Sequence, residues 1–189
     1  RPSLPLDNHE EYYLVFDRGD CTLDELILQR NLSNTPYKEN ELLTILSNIV
    51  ACLSSLEEEG ISHGNVRIEN IIYIYETGLY SLINFEDSVD STQALANSVS
   101  NQNSRMNAFS SSRHSERGPD PYKSDIWSLG LLILETMGEK VNRVKINQSL
   151  IKSRFIDYVS KKSREIFPQV CKLLEMVLDE DPEKRVNLK

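Results

Sequence analysis

Apolar residues recur at helical spacing in two long stretches of this chain, and those stretches organise everything around them. From Thr35-Pro36, residues Leu42, Leu46, Ile49, Leu53 and Leu56 repeat at intervals of four and three. Leu43, Ile45, Val50 and Cys52 widen that stripe, so the pattern predicts a long, deeply buried helix that Gly60 ends. From Ser124 the chain is apolar on nearly every face, through Ile126, Trp127, Leu129, Leu131, Leu132, Ile133 and Leu134. A helix apolar all round belongs in the centre of a domain.

Shorter elements fill the intervals. Tyr12 to Phe16 reads as a strand bounded by Asp17-Arg18-Gly19-Asp20. Thr22 followed by Glu25 is a capping box for a short helix reaching Gln29. Asn70 to Tyr75 and Leu79 to Ile83 read as two strands of a hairpin turned by Glu76-Thr77-Gly78. Residues 88–118 hold nine serines and four asparagines with few large apolar side chains. Such a segment cannot offset its ordering entropy by burial and reads as a long surface loop. Two helices are predicted beyond the central one, near Gln148 to Ser160 and from Pro168 to Leu178, the second stopped by Asp181-Pro182.

The 189 residues suit one domain, mainly α with small hairpins. Asp and Glu number 29 against 21 Lys and Arg, a net charge of −8. An acidic balance argues against a general nucleic-acid or anionic-membrane binder. No apolar run approaches the eighteen or so residues that span a bilayer. Cys21, Cys52 and Cys171 lie far apart without a CxxC pair, so they read as buried or idle thiols of a reducing, intracellular and cytoplasmic setting rather than a zinc site or disulfide framework. Opening on Arg1, the chain reads as a piece of something longer, and a missing signal peptide says nothing about targeting.

Candidate chemistry gathers between the long helix and the hairpin, in His63-Gly64-Asn65-Val66-Arg67-Ile68-Glu69-Asn70. Taken alone, polar residues in such a loop most often satisfy backbone groups at a helix end. Their order is not isolated, however. The segment resembles the catalytic loop of protein kinases, H-R-D-x-K-x-x-N. Asn84-Phe85-Glu86 stands where that family carries D-F-G. Ser124 to Gly130 is similar to the family's central helix, with its D-x-W-S-x-G start. Asp179 to Arg185 is similar to its D-P-x-x-R, and Tyr13 to Asp17 resembles the strand and hinge between the two kinase lobes.

The resemblance implies an α+β, mainly helical kinase-like C-terminal lobe over residues 1–189, with residues 1–20 the last strand and hinge and 88–118 the activation-segment position. The small N-terminal lobe has no counterpart here: neither a glycine-rich loop nor a strand with a nucleotide-binding Lys is found. Scaffold positions follow the family. His63 and Phe85 are expected to stack between the loop and the central helix. Asp125 is expected to open that helix and tie down the backbone around His63. Trp127 belongs to its buried face. Arg185 is expected to pair with a carboxylate after the activation segment, for which Glu116 in His114-Ser115-Glu116 is the first candidate and Gly118-Pro119-Asp120 the second.

Charge-bearing positions depart from the family. Asn65 stands in place of the catalytic Asp and Asn84 in place of the metal-binding Asp; neither amide holds a proton or a negative charge. Glu86 replaces a Gly and would repel a triphosphate. Gly64 replaces the Arg that reads a phosphorylated activation loop. Asn70 matches the family's second metal ligand but, with its partner lost, suits structural hydrogen bonds, and Arg67 stands in for the loop Lys and suits a phosphate or carboxylate; both are vestigial. General-base assistance is worth about 10²–10⁴-fold, so its loss is severe.

The expected function is a catalytically inactive kinase-like domain, a scaffold or allosteric subunit within a multi-protein complex. Cofactor, metal, bound ATP, nucleic acid and membrane insertion are not expected. Its docking surfaces would include the helix bearing Leu150, Ile151, Phe155, Ile156 and Val159, and the groove beside the hinge. A related reading is the kinase non-catalytic C-lobe domain, a peptide-docking module. The alternative is an atypical protein Ser/Thr kinase whose N-lobe lies upstream of residue 1. Phosphorylation of the 88–118 serines, answered by Arg105, Arg113 or Arg117, is a further possibility.

Overall fold

The computed structural model describes residues 19–90, 120–139, 141, 159–179 and 181–187. The expected strand Tyr12 to Phe16, residues 91–118 with Glu116 and their arginines, and most of the helix near Gln148 to Ser160 lie outside them.

Helix α1 spans Leu23–Leu32. The backbone N–H of Thr22 donates to the Glu25 carboxylate at 2.9 Å, as the sequence pattern requires. Helix α2 spans Glu39–Glu58. It starts later than Thr35-Pro36 predicts, because Tyr37 turns inward under the Arg30 guanidinium, 4.1 Å from its ring centroid. Glu41 then takes the Lys38 N–H at 2.8 Å and closes the first turn. Leu42, Ile45, Ile49 and Leu53 are buried, whereas Leu46 and Leu56 are only partly so. Asn40, Thr44, Ser47, Ala51 and Ser55 keep one face in solvent. The helix is therefore amphipathic and docked on one side, not engulfed as its wide stripe suggests.

Strand β1 (Cys21–Thr22) pairs antiparallel with β3 (Ile71–Ile74), which pairs antiparallel with β4 (Leu79–Leu82). The β3–β4 register sets Ile71 opposite Leu82 and Ile74 opposite Leu79. Asn48 of α2 anchors the hairpin by accepting the Tyr80 N–H at 2.9 Å. A second ladder joins β2 (Ile61–Ser62) to β5 (Val89–Asp90). This corrects the loop boundary, since residues 88–90, read as the start of a solvated loop, belong to a turn and a strand. The two-residue ladder is too short to show a period of two in the sequence.

Helix α3 spans Pro121–Thr136, and every residue from Asp125 to Leu134 is buried. The helix is capped by Asp120, whose carboxylate accepts from the N–H groups of Tyr122 and Lys123. Asp125 thus lies inside the helix instead of opening it. Helix α4 (Lys161–Ile166) is a short element that the periodicity did not reveal, and α5 spans Pro168–Val177. Glu39 at the start of α2 accepts the Gln169 N–H at 2.6 Å and so caps α5 across the fold. The three cysteines are free and partly buried rather than core residues.

Candidate functional site

Residues 63–70 cross between β2 and β3, with the turn 84–88 folded against them. The loop is held from below by α3. Asp125 accepts the His63 N–H at 2.7 Å on Oδ2 and the Gly64 N–H at 2.9 Å on Oδ1. Burial pushes this carboxyl up to about 7, the two N–H groups acting in the opposite sense.

His63 is fully buried. Its Nδ1 accepts from the Asn65 N–H at 3.2 Å and its Nε2 lies 3.1 Å from the Ile83 carbonyl, so the hydrogen-bond network assigns the proton to Nε2. Burial holds its pKa below the usual imidazole value, which agrees with a neutral ring. Phe85 sits 5.0 Å from His63, centroid to centroid, but is 40% exposed. The two rings meet at an interplanar angle of 57°, with Phe85 partly in solvent instead of enclosed between loop and central helix. Asn84 at φ 64° turns the chain outward just before it.

The loop brings its polar residues together in pairs. Asn70, buried, donates from Nδ2 to the Asn65 carbonyl at 2.8 Å, the structural task its sequence position suggests. Its Oδ1 accepts from Asn84 Nδ2 at 3.4 Å. Asn65 Nδ2 donates to Asp87 Oδ2 at 2.9 Å. Asp87 was not singled out by the sequence, and the acidic residue following Glu86 is the only signal that marks it. Arg67 does meet a carboxylate, that of Glu69, in a forked pair at 2.6 and 2.8 Å. Its pKa is raised by that hydrogen bond. Glu86 is exposed.

Behind the site, the Arg185 guanidinium lies 4.7 Å above the buried Trp127 ring. It donates to the Asp179 carbonyl at 2.7 Å and to the Lys123 carbonyl at 2.9 Å. Lys123, itself buried, donates to the carbonyls of Arg185 and Val186 and to the Asn187 side chain. The D-x-W and D-P-x-x-R segments are thereby locked to each other by backbone contacts that no residue-type pattern announces.

Comparison with known proteins gives this arrangement its relatives. The chain matches the family model described as protein kinase domain over residues 5–189. It is 25% identical over 140 residues to a probable serine/threonine-protein kinase, fnkB, of Dictyostelium discoideum, covering 74% of this chain and 26% of that protein. With fnkE of the same organism it shares 26% identity over 148 residues, 75% of this chain and 11% of the relative. With protein kinase kin1 of Schizosaccharomyces pombe it shares 29% over 194 residues, 95% of this chain and 20% of the relative. The chain thus spans about a quarter or less of the length of these relatives.

Proposed function

We propose a non-catalytic, protein-binding role for this chain, which belongs to the protein kinase domain family. The observation that carries the reading is the commitment of Asn65. At the position of the family's catalytic Asp stands an amide whose N–H is already given to Asp87. Phosphoryl transfer asks that position to accept a substrate proton, and a donating amide does the reverse. The metal-binding positions support the same reading. In kinases they hold Mg²⁺ against the phosphates; here Asn70 keeps the family's Asn, but Asn84 puts a neutral amide in place of the Asp and donates it to Asn70 Oδ1. Mg²⁺ selects carboxylates and phosphates, so the loss of the carboxylate at position 84 counts against a metal here. Arg67, bound to Glu69, has its guanidinium fork occupied. What is retained is scaffold: His63 on Asp125, Trp127 under Arg185. A fold kept without its charges suits a scaffold or allosteric subunit that works by contact with other proteins.

The experiment is phosphate transfer from labelled ATP, with Mg²⁺ or Mn²⁺, by the longest natural form of the protein. No incorporation above background into itself or a general protein substrate is expected, and turnover overturns the proposal. Thermal unfolding with millimolar ATP is its companion. A ligand at 100 times its Kd adds about 2.7 kcal/mol, or about 5–10 °C for this size. The scaffold reading expects no shift.

A second reading is an atypical protein Ser/Thr kinase, which the names of the relatives favour and which would need a nucleotide-binding lobe upstream. The Asp87 carboxylate beside Asn65 is the local feature in its support. The phosphate-transfer assay separates the two readings.

A further inference from the structure

Two neighbouring residues of the loop depart from the family's pattern, Gly64 and Asn65, and both face the same partner. Gly64 has φ +76°, a conformation in which a side chain is strained. A Cβ built there would overlap the carbonyl oxygen of Asp87. Asn65 donates its amide to the carboxylate of that same Asp87. On either side, Ser88 Oγ donates to the His63 carbonyl at 3.2 Å and Ser62 Oγ to the Val89 carbonyl at 3.4 Å, beside the β2–β5 ladder. The turn 84–88 is thus seated on the loop by backbone at 64, side chain at 65 and strand pairing at 61–62.

We infer that Gly64, Asn65 and Asp87 form one matched latch, in which Gly64 makes room for the Asp87 backbone and the Asn65 amide is required by the Asp87 carboxylate. The amide at 65 is more than a lost acid. It is the donor that lets a carboxylate stand 2.9 Å away. An Asp at 65 would set two carboxylates against each other at hydrogen-bond distance, and like charges that close cannot both remain ionised without cost. Asp87 and Asn65 act here as positioning residues for the turn. The inference deepens the non-catalytic reading, because restoring the family's Asp at 65 alone would break the latch before it could restore a base. It does not depend on that reading, since its test measures folding and not phosphate transfer.

The test is a two-by-two set in the whole protein: wild type, Asn65→Asp, Asp87→Asn, and the swap carrying both. Thermal midpoints are followed from pH 4 to pH 7.5. At pH 7 Asn65→Asp is expected to lower the midpoint by about 3–6 °C. The swap, which re-forms the hydrogen bond with donor and acceptor exchanged, is expected to return to within about 1–2 °C of wild type. The deficit of Asn65→Asp should close as the pH falls through the carboxylate range, because one protonated carboxyl can donate to the other. Other titratable groups around the pair are His63, Asp125, Glu86 and Asp90, all common to the four proteins, so differences within the set isolate positions 65 and 87. An Asn65→Asp protein as stable as wild type at pH 7 overturns the inference, as does a swap no better than Asn65→Asp. If Asn65→Asp does not fold, the swap decides: a wild-type midpoint supports the latch, and failure to fold overturns it.

Discussion

Asp125 and His63, 62 residues apart, are joined by a carboxylate-to-backbone hydrogen bond of 2.7 Å that carries the loop on the central helix. The side chain comes from a helix whose surroundings are apolar, and its oxygens meet two N–H groups of the loop. Removing it strands both donors. Asp125→Ala is expected to lower stability by about 2–5 kcal/mol, read from denaturant midpoints, since a buried unsatisfied donor costs about 1–3 kcal/mol.

The same carboxyl gives a pH signature. Its folded pKa is about 7, raised by burial from 3.8, so the native state holds its proton where the unfolded chain has released it. Stability from this group is fully present below pH 4 and falls as the pH rises towards 7. Asp125→Asn cannot ionise and removes that slope. The difference in stability between variant and wild type should therefore change between pH 4 and 7 and be flat above about pH 8. A difference flat throughout would show the group ionised in the native state with an ordinary pKa.

Gly130 faces the C-terminal end of α5. A Cβ there would stand 2.6 Å from Leu178 Cγ and 3.0 Å from Val177 Cγ2. Alanine gains about 1 kcal/mol in helix propensity but forces these packed side chains to move, which costs about 1–3 kcal/mol. Gly130→Ala should be net destabilising by up to about 2 kcal/mol. A more stable variant would mean that Leu178 repacks freely.

Arg185→Lys tests whether charge or shape matters behind Trp127. Lysine keeps the charge but loses the fork that reaches the Asp179 and Lys123 carbonyls at once. A loss of about 2–3 kcal/mol is expected from the stranded carbonyls and the ring contact. Unfolding midpoints close to wild type would reduce the guanidinium to a point charge.

Glu39 reaches across the fold to cap α5 at Gln169 and Val170. Glu39→Ala is expected to cost about 1–2 kcal/mol and to speed amide exchange in the first turn of α5 more than elsewhere. Uniform exchange across α2 and α5 would instead mark a global loss.

Some of this molecule follows from residue order alone. The capping box at Thr22 and Glu25, the β3–β4 hairpin and the all-apolar run of α3 are local patterns, set by periodicity and turn chemistry within a few residues. The family, too, was legible, because its motifs are short, ordered and tied to those elements. Tertiary structure decided what depends on neighbours distant in sequence. Phe85 is partly outside because Asn84 turns the chain at positive φ, and α2 keeps a wet face because, among the described residues, its buried positions all lie on one side. Glu69 captured Arg67, and Glu39 became the cap of α5. Above all, the meaning of Asn65 came from Asp87. A sequence reports that a carboxylate is missing at one position, whereas only packing shows that another has come to lie beside it, because electrostatic fit is a property of distances and not of residue type.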